Sequence, residues 1–175
     1  MRSGGQLLVE SLVGLGATKA FGVPGESYLA VLDALHDTEG RFDFILCRNE
    51  GGAAFMAAAW GKLTGAPGLC FVTRGPGATN ASIGVHTAMQ DSAPMILFVG
   101  QVGTDMRGRE AFQELDYRAV FGTMAKWAVE IDSADRTSCA GRSGATSAHR
   151  QLSSIAARCP PAECPATTIR FGSPP

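Results

Sequence analysis

The 175-residue chain lacks several features that would assign it to a class directly. No apolar run approaches the ~20 residues that a membrane-spanning helix needs. Residues 1–6 lack the apolar core of a signal peptide. The five cysteines include no C-x-x-C pair, so the usual redox and zinc spacings are missing. These absences predict a soluble, cytoplasmic protein with no membrane partner.

The chain also lacks a large net charge and the common nucleotide-binding loops. The formal net charge is −1, and no acidic or basic run is present, so we expect no nucleic-acid partner. The chain has no G-x-G-x-x-G motif, and Met56 stands where a phosphate loop ending at Gly61-Lys62 would need its first glycine. What is present is a 45% share of hydrophobic residues in a length typical of one domain.

Strand-like and helix-like segments alternate along residues 1–136. Strands are predicted at 20–23, 42–47, 68–73, 94–100 and 125–131; helices are predicted at 7–15, 27–36, 50–63, from the end of a 74–80 loop to about 90, and at 112–121. The runs 68–73 and 94–100 are almost continuously apolar, as in buried parallel strands. The alternation predicts an α/β fold: three layers, doubly wound, with a mostly parallel sheet and helices on both faces.

Residues 137–175 differ from residues 1–136. They hold five of the nine prolines and three of the five cysteines, but few large apolar side chains. Such a segment buries too little area to offset its ordering entropy, which predicts a poorly ordered tail. The tail is either a natural disordered segment or the product of a frameshift in GC-rich DNA, and we favour the frameshift. The sequence of the DNA beyond codon 136 would decide between them.

Three polar or glycine-rich segments follow three predicted strands: 23–27, 48–52 and 74–80. Because parallel strands end at one edge of a sheet, these segments are expected to converge there. Glu50 is the most informative residue, because it stands at a strand-to-helix junction before a run of small residues. A carboxyl group sheltered at such an edge can act as a hydrogen-bond donor to a ligand.

Five motifs stand out in this part of the chain: Phe21-Gly22-Val23-Pro24-Gly25, Arg48-Asn49-Glu50-Gly51-Gly52-Ala53-Ala54-Phe55-Met56-Ala57, Arg74-Gly75-Pro76-Gly77-Ala78-Thr79-Asn80, Gln90-Asp91-Ser92-Ala93-Pro94-Met95 and Ala111-Phe112-Gln113-Glu114. In these motifs the chain resembles the N-terminal pyrimidine-binding (PYR) domain of thiamine-diphosphate-dependent enzymes, in the acetolactate synthase-like group. The resemblance covers about residues 3–136.

The resemblance implies a role for each matching residue. Glu50 corresponds to the glutamate that hydrogen-bonds N1′ of the aminopyrimidine, and Gln113 to a glutamine near the reacting centre. The residues implied to line the ring pocket are Pro24, Gly25, Thr73, Pro76, Gly77 and Asn80. The implied reaction is decarboxylation of a 2-oxo acid, with the cofactor as electron sink and a possible ligation to a second carbonyl compound.

The resemblance also implies partners outside this chain. The family's diphosphate and Mg²⁺ are held by a C-terminal domain with a Gly-Asp-Gly motif, which does not occur here. The central domain, which binds FAD in some members, is not matched either. We therefore expect a fragment, inactive alone, that faces the diphosphate-binding domain of another subunit in a homo-oligomer such as a homodimer. Two alternatives stay open: an interaction module that pairs with a separately encoded diphosphate-binding domain, and a non-catalytic α/β domain for another small ligand.

Overall fold

A computed structural model describes residues 2–38 and 40–131, and the backbone of residues 167–171. The strands are β1 (Lys19–Gly22), β2 (Asp43–Leu46), β3 (Gly68–Val72), β4 (Met95–Gly100), β5 (Trp127–Ile131) and β6 (Thr167–Phe171). The helices are α1 (Gly4–Gly14), α2 (Leu29–His36), α3 (Glu50–Thr64), α4 (Gly75–Gln90) and α5 (Tyr117–Phe121). Short 3-10 turns occupy Glu26–Tyr28 and Thr104–Met106.

The strands form one parallel sheet in the order β2-β1-β3-β4-β6-β5. Successive side chains of a strand point to opposite faces, so β3 supplies a hydrophobic core on each side of the sheet. Leu69 and Phe71 pack with α1 and α2, whereas Cys70 and Val72 pack with α3, α4 and α5. The result is three layers, with helices on both faces of the sheet.

The local sequence determines where α3, the helix that carries Glu50, begins and ends. The Asn49 side chain caps α3 by accepting hydrogen bonds from the backbone N–H groups of Gly51 and Gly52, at 2.8 and 3.4 Å. A side-chain oxygen at this position satisfies donors that have no partner inside the helix. The helix ends at Gly65, whose φ of +72° is the left-handed conformation favoured by glycine. Glu50 is thereby held in the first turn of α3, separated from the end of β2 by residues 47–49.

The direction in which successive strands are added to the sheet reverses beside β1. The chain passes from β1 to its neighbour β2, and then returns to β3 on the other side of β1. The helix after β1 packs on one face of the sheet, and the helix after β3 packs on the opposite face. In open α/β sheets such a reversal leaves a crevice outside the carboxyl ends of the strands, where ligands bind.

The predicted α/β fold with a parallel sheet is confirmed, and two predicted helices are shorter than expected. Residues 112–116 do not form the first turns of a helix, because Gln113 adopts a φ of +66° and the side chain of Asp116 caps α5 instead. The helix predicted from Ser27 begins as a 3-10 turn and becomes α2 only at Leu29.

The strand β6 was not predicted from the sequence. Its backbone pairs in parallel with β4 on one side and with β5 on the other. The remainder of the tail, 137–166 and 172–175, lies outside the described residues, as does the predicted boundary at residue 136. The two interpretations of the tail therefore stay predictions.

Candidate functional site

The segments that follow β1, β2 and β3 meet at the carboxyl edge of the sheet, as predicted. Thr73 lies at the centre of this meeting point, directly after β3. A Cβ atom at Gly25 would lie 2.6 Å from Thr73 Cβ, and one at Gly77 would lie 2.9 Å from Thr73 Cγ2. Both distances are too short for real side chains, so glycine at both positions lets the Gly25 bend and the first turn of α4 close on Thr73.

Glu50 reaches the same place from α3. Its Oε2 accepts a hydrogen bond of 3.0 Å from Asn80 Nδ2, and its Oε1 lies 3.5 Å from the position of a Cβ at Gly77. The Glu50 side chain is half-buried, whereas a carboxyl group sheltered from water was predicted from the sequence. One carboxylate oxygen is thus oriented by an amide while the other lies beside the glycine turn.

The Gly-Pro-Gly segment is the first turn of α4, whereas a loop over 74–80 was predicted. The helix starts at Gly75, so Pro76 and Gly77 are helical and Asn80 lies in the second turn. Proline is tolerated there because the first N–H groups of a helix have no partner within the helix. The helical geometry places Asn80 on the side of α4 that faces Glu50.

The remaining predicted residues lie around this point with less direct contact. Pro24 is exposed between β1 and the Gly25 bend, and Pro76 is exposed at the start of α4. Gln113 approaches through its backbone: its carbonyl oxygen accepts a 2.9 Å hydrogen bond from the Gly75 N–H. The structure therefore brings the segment of Gln113 to the edge, and its side chain is half-buried there.

Two residues that support the site, Ser27 and Arg74, have partners that were not predicted from the sequence. Ser27, predicted to begin a helix, instead shares a 2.9 Å hydroxyl–hydroxyl hydrogen bond with Thr73. Arg74 forms an ion pair with Glu26 and donates to the carbonyl oxygen of Phe112. No local pattern in the sequence indicates these partners, because they lie 38 to 48 residues away.

Tyr28 lies beneath the first bend. Its hydroxyl donates to the carbonyl oxygen of Val23, the residue that precedes Pro24. Burial raises the pKa of the Tyr28 phenol well above its usual value, and the nearby groups of Cys70 and Glu50 raise it further. Tyr28 therefore stays protonated and holds the bend as a hydrogen-bond donor.

Neither a metal-binding cluster nor a membrane-spanning helix is found in the part of the chain that the structure describes. No group of three or more His, Cys, Asp or Glu side chains there could hold a metal ion. Within the same residues, no helix combines the length and hydropathy needed to cross a membrane.

The sequence of this chain also matches known proteins. The sequence profile described as "Thiamine pyrophosphate enzyme, N-terminal TPP binding domain" matches residues 2–120. The Escherichia coli acetolactate synthase isozyme 3 large subunit is 46% identical over 116 residues, which cover 66% of this chain and 20% of that protein.

Two further relatives give the same result. The Saccharomyces cerevisiae mitochondrial acetolactate synthase catalytic subunit is 38% identical over 133 residues, covering 76% of this chain and 19% of that protein. The Lactococcus lactis acetolactate synthase large subunit is 42% identical over 129 residues, covering 74% and 22%. The chain thus spans about a fifth of the length of these relatives.

Proposed function

Because the chain belongs to the thiamine pyrophosphate enzymes through their N-terminal TPP-binding domain, we propose that its carboxyl-edge crevice binds the aminopyrimidine ring of thiamine diphosphate. The observation that carries this proposal is the position of the Glu50 carboxylate. One of its oxygens accepts from Asn80 and the other lies beside Gly77, at the reversal point of the sheet. A carboxyl group must lie within hydrogen-bond reach of a ring nitrogen to exchange a proton with it.

The residues at the crevice fit a flat heteroaromatic ring. Gly25 and Gly77 both pack closely against Thr73, which brings these two backbone segments together at the edge where the ring is proposed to bind. The amide of Asn80 fixes one Glu50 oxygen, which leaves the other for a ligand. A few polar groups, among them Glu50 and Asn80, stand beside small residues, as in sites that orient a mostly apolar ligand.

The role of Glu50 is to hold a proton at the ring nitrogen N1′ and so to set the tautomer of the ring. Thiamine diphosphate, when bound, supplies the electron sink for decarboxylation of a 2-oxo acid. Gln113 is proposed to lie near the reacting centre, where the backbone of its segment is fixed to α4. The substrate class, a 2-oxo acid with a possible second carbonyl acceptor, follows from the family and not from these side chains.

The chain is proposed to supply half of a site that a second domain completes. Phe55 on α3 and Ile83 on α4 are 42% and 56% exposed, on the two helices that carry Glu50 and Asn80. Exposed apolar side chains beside a site are typical of a surface that a partner covers. The partner is proposed to be a diphosphate-binding domain that holds Mg²⁺, in a homo-oligomeric, cytoplasmic enzyme whose use of FAD depends on further domains.

Calorimetry with thiamine diphosphate and Mg²⁺ tests this half-site directly. The chain alone is expected to show no binding at micromolar concentrations, because it offers contacts only to the ring. The chain mixed with the diphosphate-binding domain of a relative is expected to bind the cofactor. Submicromolar binding by the chain alone would contradict the half-site, and no binding by a complex shown to form would contradict the ring site itself.

A further inference from the structure

Arg74 connects three segments of the carboxyl edge. It stands immediately before α4, and its side chain is only 13% exposed although arginine usually lies at the surface. One guanidinium nitrogen, Nη1, donates to the carbonyl oxygen of Phe112 at 3.2 Å. The other, Nη2, pairs with the carboxylate of Glu26, which follows the Gly25 bend. A single side chain therefore touches the segments that carry Gly25 and Gln113.

The backbone next to Arg74 strengthens the second of these connections. The Gly75 N–H donates to the carbonyl oxygen of Gln113 at 2.9 Å, so two successive carbonyl groups are held by two successive residues. A Cβ at Gly75 would lie 2.9 Å from that same oxygen, which shows how closely the segments approach. Gln113 has a φ of +66°, a conformation that non-glycine residues rarely adopt without support.

We propose that Arg74 is a positioning residue of the ring site, which fixes Gln113 at the start of α4 and ties that segment to the Gly25 bend. The inference rests on the proposed function, because it concerns a residue of the same site. Arginine suits this task because its planar guanidinium offers donors in two fixed directions. Lysine carries one compact charge at the end of a flexible chain, and it cannot reproduce both contacts in the same geometry.

Amide hydrogen exchange at Gly75, followed by NMR on the full chain, tests the proposal. In Arg74→Lys the Gly75 amide is expected to exchange about 10-fold or more faster, after correction for the changed neighbour, because a charge-assisted hydrogen bond is lost. In Glu26→Gln the Gly75 amide should be unchanged, whereas the Tyr28 amide, which donates to Gly25, should exchange faster. The Leu8 amide in α1 serves as the reference.

Two results would overturn the proposal. Exchange at Gly75 in Arg74→Lys within about twofold of the original protein would show that Arg74 does not hold the segment. Equal acceleration at Gly75 and Leu8 would show a general loss of stability rather than positioning.

A thiamine titration gives a second readout that a merely structural role would not change. Arg74→Lys is expected to lose the thiamine-induced shift of the Gln113 amide while it keeps the shifts of Gly77 and Asn80. Retention of the Gln113 shift in Arg74→Lys would count against the proposal. If the original protein shows no thiamine shifts at all, the ring site fails, and Gly75 exchange still decides the role of Arg74.

Discussion

Glu50→Gln is expected to lower cofactor-dependent turnover of a 2-oxo acid at least about 100-fold when the chain is paired with the diphosphate-binding domain of a relative. Glutamine fills the same space and can still accept from Asn80. It has no ionisable proton to exchange with a ring nitrogen, and positioned proton transfer contributes roughly 10²–10⁴-fold to rates. The loss should therefore appear in turnover, while the fold and the pairing of domains remain.

A matched control is available on α1. Glu10→Gln makes the same chemical change at an exposed position that pairs with Arg2. Turnover should stay within about twofold, since exposed ion pairs contribute little to stability. Equal activity of Glu50→Gln and Glu10→Gln would favour the alternative interpretation, a small-ligand domain that takes no part in thiamine chemistry.

Phe71→Ala is expected to lower the free energy of unfolding by about 3–5 kcal/mol, the usual range for truncation of a buried aromatic side chain. Phe71 is 1% exposed and stacks on Phe98, with ring centroids 4.4 Å apart and planes inclined by 11°. The rings of Tyr28 and Phe44 also lie near it, each with its centroid at 6.2 Å. Removing the ring leaves a cavity in the core between the sheet and α1 and α2.

Urea unfolding at 25 °C measures this loss, with Phe112→Ala as the control. Phe112 is 73% exposed, so the same truncation there should change stability by no more than about 0.5 kcal/mol. With a urea dependence of about 1–3 kcal/mol per molar, the Phe71→Ala midpoint should fall by at least about 1 M. A loss below about 1 kcal/mol for Phe71→Ala would show that this aromatic cluster is not the core of the fold.

The parts of the fold that local sequence determines were predicted well. The apolar runs of β3 and β4 indicate buried parallel strands, and each has the predicted position to within a residue or two. The helix α3 is bounded by Asn49 and Gly65, whose side-chain and backbone chemistry start and stop a helix. The convergence of Gly25, Glu50 and Gly77 followed from one rule about the carboxyl edge of parallel sheets.

Tertiary contacts account for what the sequence did not reveal. Ser27 has the chemistry of a helix cap, but Thr73 is a nearby partner that only the folded chain provides. Arg74 finds its partners in segments far along the chain, so no local spacing identifies them. The strand β6 comes from a region with few large apolar residues, and its pairing between β4 and β5 was therefore not predicted.

The most direct test of the ring site is NMR shift mapping of the isotope-labelled chain with thiamine, which carries the ring but no diphosphate. Even weak binding is detected in this way, so no partner domain is needed. The account predicts the largest amide shifts at Gly25, Glu50, Gly77 and Asn80, and the loss of these shifts in Glu50→Ala, which removes the hydrogen-bonding side chain. Shifts confined to the groove between α1 and α2, lined by Gln6, Glu10 and Arg41 among others, or no shifts up to the solubility limit, would contradict it.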